Sequence, residues 1–172
     1  MNNNTFVHKY IKSLVTKDDI CVDMTLGNGF DALLLCQLSK KVYGFDISKQ
    51  AITNSQKRLI DYHNIEFIND NHVNVDKYVK KAKLFIYNLG YLPHGDRQII
   101  TKAQETLISF KKAYEILDRN GYIIITFYVG HKGGKDEYYL LDDYIFKNNI
   151  LVLERYRQDK LDSPITYIIK KL

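Results

Sequence analysis

Cysteine, proline and tryptophan are scarce in this chain of 172 residues, which has two, two and none of them respectively. Two cysteines are too few for the disulfide framework of a small secreted protein. Cys21 and Cys36 both fall on predicted apolar segments, so we expect buried free thiols in a reducing cytoplasm. No Pro/Gly/Ser-rich linker, internal repeat or low-complexity stretch divides the sequence. We therefore expect one domain over residues 1–172.

Long hydrophobic runs are also missing, and none approaches the roughly 20 residues of a membrane span. The first residues lack the basic and apolar regions of a secretory signal, which favours a cytoplasmic protein. The mean hydropathy of −0.30 is typical of a soluble globular chain. The five histidines show no metal-ligand spacing and no Cys-x-x-Cys occurs, so we expect no metal site.

The charge balance is modestly basic, with a net charge of +5 at pH 7. Such a balance favours polyanionic partners, although the lysines and arginines are spread along the chain rather than clustered. The sequence also has 14 tyrosines, which offer surfaces for stacking on nucleic-acid bases. We expect most of these tyrosines in or near the hydrophobic core.

Hydrophobic periodicity predicts alternating helices and strands along the whole chain. The predicted helices span 5–15, 29–39, 48–62, 75–80, 98–117 and 136–146. The predicted strands span 20–24, 42–46, 65–69, 83–88, 122–129, 150–156 and 165–169. Ser48 is a predicted N-cap, and Asn120-Gly121 is predicted to cap and end the long fifth helix.

This alternation predicts an α/β fold with a doubly wound, Rossmann-like sheet that is mainly parallel. The last two strands lack an intervening helix, so we expect a C-terminal antiparallel hairpin. The first helix, at about 5–15, is expected to pack on the core. A parallel sheet that ends in such a hairpin is the class I methyltransferase pattern, whereas a NAD-binding domain normally has an all-parallel sheet.

The segment Val-Asp-Met-Thr-Leu-Gly-Asn-Gly-Phe-Asp at 22–31 joins the first strand to a helix through a glycine turn. Gly27 and Gly29 allow the backbone to approach a ligand closely. Asp46 ends the second strand, at the usual reach to a ribose hydroxyl pair. Gly27-x-Gly29-x-x-Ala32 also fits the dinucleotide fingerprint. However, Asp23 at the strand end would repel a pyrophosphate and attract a cationic ligand such as S-adenosylmethionine.

Three later strand ends carry polar groups that suit a cofactor or a substrate. Asp70 or Asn71 is placed to accept a hydrogen bond from an adenine amino group, or else forms an Asx-turn. Asn88 can orient the lone pair of an amine at a methyl group, and Tyr91 can stack on a base. The segment 131–137, with its glycine pair, is either a phosphate or substrate loop or an ordinary surface loop.

Four motifs occur together and in order: Asp-x-Thr-x-Gly-Asn-Gly-x-Asp at 23–31, Asn-Leu-Gly-Tyr-Leu-Pro-x-Gly-Asp at 88–96, Ile-Thr at 100–101, and Gly-His-x-Gly-Gly-Lys-x-Glu at 130–137. Over essentially the whole chain, they resemble a bacterial family first called "putative rRNA methylases". Its characterised activity is that of a tRNA 5-(aminomethyl)-2-thiouridine methyltransferase. The chain departs from the family pattern at Phe30, Ala32 and His94, where the family often has His, Thr and Gly.

The resemblance implies a class I fold, S-adenosylmethionine as cofactor with S-adenosylhomocysteine as product, and the tRNA anticodon stem-loop as partner. The predicted cofactor-binding residues are Asp23, Thr25, Gly27, Asn28, Gly29, Asp31, Asp46, Ile47, Asp70, Asn71, His72 and Asn88. The predicted catalytic residues are Asn88, Tyr91 and His131. The predicted substrate-binding residues are Leu89, Gly90, Tyr91, Lys132, Gly133, Gly134 and Lys135.

Four functions stay open at this point. The leading one is methylation of the amine of 5-aminomethyl-(2-thio)uridine at the tRNA wobble position, which gives 5-methylaminomethyl-(2-thio)uridine. The second is methylation of rRNA or of a small amine by the same machinery. The third is a NAD-dependent oxidoreductase, and the fourth is a catalytically silent RNA-binding module. The sequence also leaves a homodimer open.

Overall fold

The computed structural model describes residues 1–90 and 103–172, which form seven strands in one sheet. The strands are β1 (Ile20–Asp23), β2 (Lys41–Phe45), β3 (Ile65–Ile68), β4 (Ala82–Leu89), β5 (Leu117–Phe127), β6 (Leu151–Arg157) and β7 (Ile165–Lys170). The α-helices are α1 (Asn3–Leu14), α2 (Phe30–Leu38), α3 (Lys49–Arg58), α4 (Val75–Tyr78), α5 (Ala103–Ile116) and α6 (Gly134–Lys147). A 3₁₀ turn at His72–Asn74 precedes α4.

The strand order across the sheet is β3-β2-β1-β4-β5-β7-β6. Strands β1 to β5 run parallel, whereas β7 pairs antiparallel with both β5 and β6. The mainly parallel sheet and its C-terminal antiparallel hairpin are therefore confirmed. The order reverses between β1 and β4, and ligands of such sheets bind beyond the carboxyl ends of the strands at this switch point.

Alternating side chains of the central strands pack into two separate cores. On β4, Leu84 and Ile86 join one core with buried residues of α1 and α2. Their neighbours Phe85 and Tyr87 join the other core with residues of α5 and α6. Because successive side chains of a strand point to opposite faces, one apolar run fills both cores. The sheet is thus covered by helices on both faces, as the doubly wound prediction requires.

The start of β5 differs from the prediction. The fifth helix ends at Ile116 and β5 begins at Leu117, so Asn120-Gly121 lies inside a strand rather than at a helix end. Asn120 has φ 61°, and the register between β4 and β5 is irregular there. An Asn-Gly pair indicates a backbone at positive φ, which a β-bulge uses as readily as a helix cap. The predicted helix C-cap was therefore wrong.

Other differences are small. Ser48 caps α3 as predicted, with its hydroxyl accepting from the Ala51 amide at 3.3 Å, although the helix ends at Arg58. Cys21 and Cys36 are buried free thiols, as predicted, and burial raises the pKa of each to about 12. The predicted start of the fifth helix at residue 98 lies outside the described residues. Within the described ranges, no helix is long and apolar enough to cross a membrane.

Candidate active site

The turn after β1 needs glycine at two positions. Gly27 and Gly29 have φ 52° and 76°, in the left-handed region that favours glycine. A Cβ at Gly29 would lie 3.1 Å from Oγ of Ser55, which donates to the Gly27 carbonyl at 2.8 Å. The turn is therefore packed tightly against α3, and a side chain at Gly29 would meet both backbone strain and a crowded neighbour.

Asn28, between the two glycines, is also held by α3. Its Oδ1 accepts from Nδ2 of Asn54 at 3.1 Å, and its carbonyl accepts from Nε of Arg58 at 2.7 Å. The Arg58 guanidinium lies 3.7 Å from the centre of the exposed Phe30 ring, in a cation–π arrangement. Side chains of α3 thus fix the conformation of the turn.

Asp23 ends β1 with its side chain fully buried. Its Oδ1 accepts from the Thr25 amide at 3.1 Å. Burial, and then the negative charges of Asp31 and Asp46, raise the pKa of Asp23 well above its usual value. A cationic ligand at this position would therefore favour the ionised form of Asp23.

Asp46 follows β2 and is bound to the same turn. Its Oδ2 accepts from the Gly27 amide and its Oδ1 from the Ser48 amide, each at 2.9 Å. Burial raises the pKa of Asp46, although these two hydrogen bonds oppose the shift. Ile47, next in the chain, is 51% exposed and presents apolar surface at the same strand end.

Within the described part of the chain, the carboxylates of Asp23, Asp31 and Asp46 have no lysine or arginine partner. Among residues 1–90 and 103–172, the side-chain partners of the Asp31 carboxylate are His8 and Asn88. The turn therefore suits a ligand with positive charge and disfavours a pyrophosphate. The same ranges hold no group of three or more acidic, His or Cys side chains that could hold a metal ion.

Asn88, at the end of β4, is joined to the turn by two hydrogen bonds. Its backbone amide donates to Oγ1 of Thr25 at 2.7 Å. Its Nδ2 donates to Oδ2 of Asp31 at 2.5 Å. The predicted acceptor-orienting asparagine thus lies directly beside the predicted cofactor turn.

The strand end after β3 carries the predicted adenine-side residues. Oδ1 of Asn71 accepts from the Val73 amide at 3.0 Å, so Asn71 forms the local turn that was the alternative interpretation. Asp70 likewise bonds locally, to Asn74 and Tyr78. These bonds leave lone pairs on the Asp70 carboxylate. An adenine role for either side chain stays a prediction.

His72 is buried, and its Nδ1 has no hydrogen-bond partner among the described residues. Burial lowers the pKa of His72 to about 4, so its ring is neutral at pH 7. The ring packs edge-on against Tyr87, with 5.9 Å between centroids. A neutral buried imidazole is compatible with the predicted cofactor role and does not establish it.

The segment after β5 folds back on itself. The His131 amide donates to the Tyr128 carbonyl at 3.0 Å, and the two rings pack edge to face. Gly133 has φ 82° and caps α6, whereas a Cβ at Gly134 would lie 2.2 Å from the Tyr128 oxygen. Both glycines thus have structural roles, and phosphate binding by this pair stays a prediction. Lys132 and Lys135 are exposed.

Of the remaining predicted substrate residues, Leu89 and Gly90 are described by the structure and Tyr91 is not. Leu89 is buried in the core with α5 and α6, so its backbone alone is available to a ligand. Gly90 lies near the Tyr128 ring, which a Cβ on that glycine would touch at 3.4 Å. Tyr91, predicted to be catalytic, and His94 lie outside the described residues.

Several residues at the site are not predictable from the sequence alone. His8 of α1 contacts Asp31, with 2.7 Å between Nε2 and Oδ1. Ser55 and Arg58 hold the glycine turn, and Tyr128 packs beside Gly90 and His131. They come from elements far from the turn in sequence, and no local spacing links them to it.

Comparison with known proteins gives consistent matches. A family model described as "Putative rRNA methylase" matches residues 42–166. A curated "tRNA (mnm(5)s(2)U34)-methyltransferase, chloroplastic" of Arabidopsis thaliana is 32% identical over 148 residues, which are 76% of this chain and 54% of that protein. A "Ribosomal RNA small subunit methyltransferase H" of Mycoplasmoides gallisepticum is 30% identical over 74 residues, or 41% of this chain and 24% of that one. The chain thus spans about half the length of the Arabidopsis thaliana relative and about a quarter of the length of the Mycoplasmoides gallisepticum relative.

Two solved structures match over nearly their full length. A "putative rRNA-methylase" of Clostridium thermocellum is 34% identical with a TM-score of 0.92, covering 100% of this chain and 98% of that one. A "putative methyltransferase" of Streptococcus mutans, solved in complex with S-adenosylhomocysteine, is 29% identical with a TM-score of 0.88, covering 100% of this chain and 99% of that one.

Proposed function

The chain belongs to the family described as "Putative rRNA methylase", and from this premise we propose that it methylates an RNA amine with S-adenosylmethionine. The specific acceptor that we propose is the amine of 5-aminomethyl-(2-thio)uridine at the wobble position of tRNA. The name of the Arabidopsis thaliana relative supports this acceptor, as do the motifs at 88–96 and 130–137. Methyl transfer by this fold is further supported by the Streptococcus mutans neighbour, which holds S-adenosylhomocysteine.

The charge of the glycine turn supports this cofactor over a dinucleotide. In the proposed complex, Asp23 faces the positively charged part of S-adenosylmethionine and Asp46 accepts from the ribose hydroxyls. Gly27 and Gly29 allow the backbone to approach the ligand, and the exposed Ile47 offers apolar surface to the adenine. The same carboxylates would repel the pyrophosphate of NAD.

One observation carries the proposal: Asn88 is bound to both Thr25 and Asp31 of the glycine turn. An amide oxygen next to the cofactor turn can accept a hydrogen bond from an amine and direct its lone pair. Methyl transfer is an in-line displacement, so such positioning can supply much of the rate acceleration.

When bound, S-adenosylmethionine would supply a methyl group on sulfur; the amine lone pair would form the new N–C bond while the electrons of the broken C–S bond stay on sulfur. The chain must hold the amine in its neutral form, because a protonated amine has no lone pair. Asn88 orients the neutral amine, since its amide oxygen accepts an N–H and leaves the nitrogen lone pair unoccupied. The proton that the amine loses passes to solvent or to a base.

The substrate side of the site is proposed to bind the anticodon loop. Unpaired loop bases are recognised by stacking on aromatic rings, for which Tyr91 is the candidate. The exposed Lys132 and Lys135 flank the glycine pair at the start of α6 and are proposed to contact phosphates. Affinity for RNA should then fall as salt is added.

Mass spectrometry of tRNA nucleosides tests the proposed substrate in cells. In a strain that lacks the gene, we expect 5-aminomethyl-(2-thio)uridine to accumulate and its methylated product to disappear. Re-expression of the wild type should restore the product, and Asn88→Ala should not. An unchanged tRNA profile together with a lost rRNA methylation would support the rRNA alternative, which the short match to an rRNA methyltransferase favours.

A further inference from the structure

Three side chains from distant parts of the chain form one hydrogen-bonded series beside the cofactor turn. His8 of α1 contacts Oδ1 of Asp31 through Nε2 at 2.7 Å. Asp31 lies in the first turn of α2, and its Oδ2 accepts from Nδ2 of Asn88 at 2.5 Å. The side chain of Asp31 is 17% exposed and that of His8 is 34% exposed. The series thus runs from the protein surface to the end of β4.

The chemistry of the carboxylate fixes the direction of both bonds. An ionised carboxylate only accepts hydrogen bonds, so His8 must present a protonated Nε2 to it. For the same reason Asn88 must present its amide nitrogen, and its Oδ1 is the atom turned away from Asp31. Amide orientation is commonly ambiguous, but a neighbour that cannot donate removes the ambiguity here.

Asp31 needs a donor on its second oxygen to stay in this position. Its charge lies close enough to the buried Asp23 to raise the pKa of that group, so the two carboxylates repel each other. Among the described residues, the hydrogen bonds that the Asp31 side chain accepts come from His8 and Asn88. Without His8, the Asp31 carboxylate would be free to turn away from Asp23 toward water, and Asn88 would lose its fixed partner.

We propose that His8 is a positioning residue that acts through Asp31 to hold the Asn88 amide with its oxygen toward the acceptor amine. The proposal rests on the proposed function, since it assigns a purpose to the Asn88 oxygen. It gives the N-terminal helix a part in the chemistry, although that helix lies before the residues that the family model matches. His8 itself does not touch the substrate in this account.

Kinetics of matched variants provide the first test. His8→Ala should lower kcat for methyl transfer roughly 10-fold, the effect of one lost charge-assisted hydrogen bond. It should leave the affinity for S-adenosylhomocysteine, measured by calorimetry, within about 2-fold. His8→Gln keeps an N–H donor and should recover most of the turnover. Asn4→Ala, an exposed change on the same helix, should behave as the wild type.

Three kinetic results would overturn the proposal. Normal turnover in His8→Ala would make His8 dispensable. An equal loss of turnover in His8→Ala and His8→Gln would show that the N–H donor is not what matters. A loss of cofactor affinity in His8→Ala as large as its loss of turnover would make His8 a general support of the fold.

Side-chain amide NMR tests the positioning without any RNA. The Asn88 NH₂ pair is identified by its disappearance in Asn88→Asp. We expect this pair to shift in His8→Ala and to stay in place in His8→Gln and Asn4→Ala; an unmoved pair in His8→Ala would contradict the proposal. Because this readout needs no substrate, failure of the wild type to methylate tRNA would refute the proposed function and leave this test standing.

Discussion

The backbone amide of Gly27 donates a hydrogen bond to Oδ2 of Asp46 at 2.9 Å, so the turn after β1 and the end of β2 hold each other. The other oxygen of Asp46 accepts from the Ser48 amide, which begins α3. Asp46 is therefore fixed before any ligand arrives, and the cost of ordering it is already met in the folded protein. Its remaining lone pairs are available to hydroxyl donors.

Asp46→Ala should weaken binding of S-adenosylhomocysteine by roughly 10–100-fold, or about 1.5–3 kcal/mol, because the ribose hydroxyls lose a charged acceptor. Isothermal titration calorimetry measures this loss directly, with the exposed Asp61→Ala as the matched control. The wild type should show no binding of NAD. Equal affinity in Asp46→Ala and the wild type would refute the ribose assignment.

Asn88→Ala should retain S-adenosylhomocysteine binding and lose methyl transfer, with a larger effect on kcat than on KM. Asn88→Asp should also be inactive although it is nearly isosteric. Its carboxylate would face that of Asp31, and two adjacent carboxylates share a proton instead of both ionising. Steady-state kinetics with calorimetry separates these effects. Near-normal turnover with weakened cofactor binding would make Asn88 a cofactor residue instead.

Glu137 predicts a specific pH dependence of stability. It is buried in the first turn of α6, accepts from Oγ1 of Thr106 at 2.7 Å, and burial raises its pKa to about 7. Between its unfolded pKa near 4.5 and this value, the folded state keeps a proton that the unfolded chain has released. The stability contribution of Glu137 therefore falls as the pH rises through that interval.

Glu137→Gln cannot ionise, and its amide oxygen can still accept from Thr106. We compare the unfolding free energy of Glu137→Gln with that of the wild type at each pH. This difference should favour the variant more at pH 8 than at pH 5, by roughly 2 kcal/mol. Urea unfolding at the two pH values measures this difference, with the exposed Glu115→Gln as control. The same difference in unfolding free energy between the variant and the wild type at both pH values would show that burial does not raise the pKa of Glu137.

The adjacent glycines at the start of α6 should respond differently to replacement by alanine. At Gly133, a Cβ meets nothing within 4 Å, and the cost is the left-handed φ of 82°, about 1 kcal/mol. At Gly134, a Cβ would lie 2.2 Å from the Tyr128 carbonyl oxygen, so the backbone must move. Despite the better helix propensity of alanine, Gly134→Ala should cost roughly 3 kcal/mol. Denaturant unfolding measures the loss of unfolding free energy in both variants, which should be larger for Gly134→Ala. Equal losses in the two variants would contradict this prediction.

The sheet and its hairpin were predictable because their signals are local. Apolar runs such as those at 83–88 and 122–129 fill two cores at once, and the missing helix before β7 indicated the antiparallel end. Asn120-Gly121 was predicted to cap a helix and instead lies in β5, because a residue with positive φ occurs both at β-bulges and at helix C-caps. The ends of α3 and α4 differ from the predicted ones because helix ends fray and caps compete over neighbouring residues.

The candidate site was partly predictable for a related reason. Asp23, Asp46 and Asn88 end parallel strands, so topology alone brings them to one edge. His8 could not be found, because it lies 23 residues before Asp31 on a helix with no pattern pointing to the site. Ser55 and Arg58 of α3 likewise reach the glycine turn only through tertiary packing. A single sequence therefore predicts which residues lie at the strand ends better than it predicts which side chains from other elements contact them.

Methyl transfer to synthetic anticodon stem-loops tests the central claim most directly. A loop with 5-aminomethyluridine at the wobble position and an identical loop with unmodified uridine are incubated with the protein and labelled S-adenosylmethionine. We predict that the aminomethyl loop accepts a methyl group and that the unmodified loop, which lacks the amine, accepts none. Comparable transfer to both loops would contradict the amine-acceptor account and indicate a methyltransferase directed at a base.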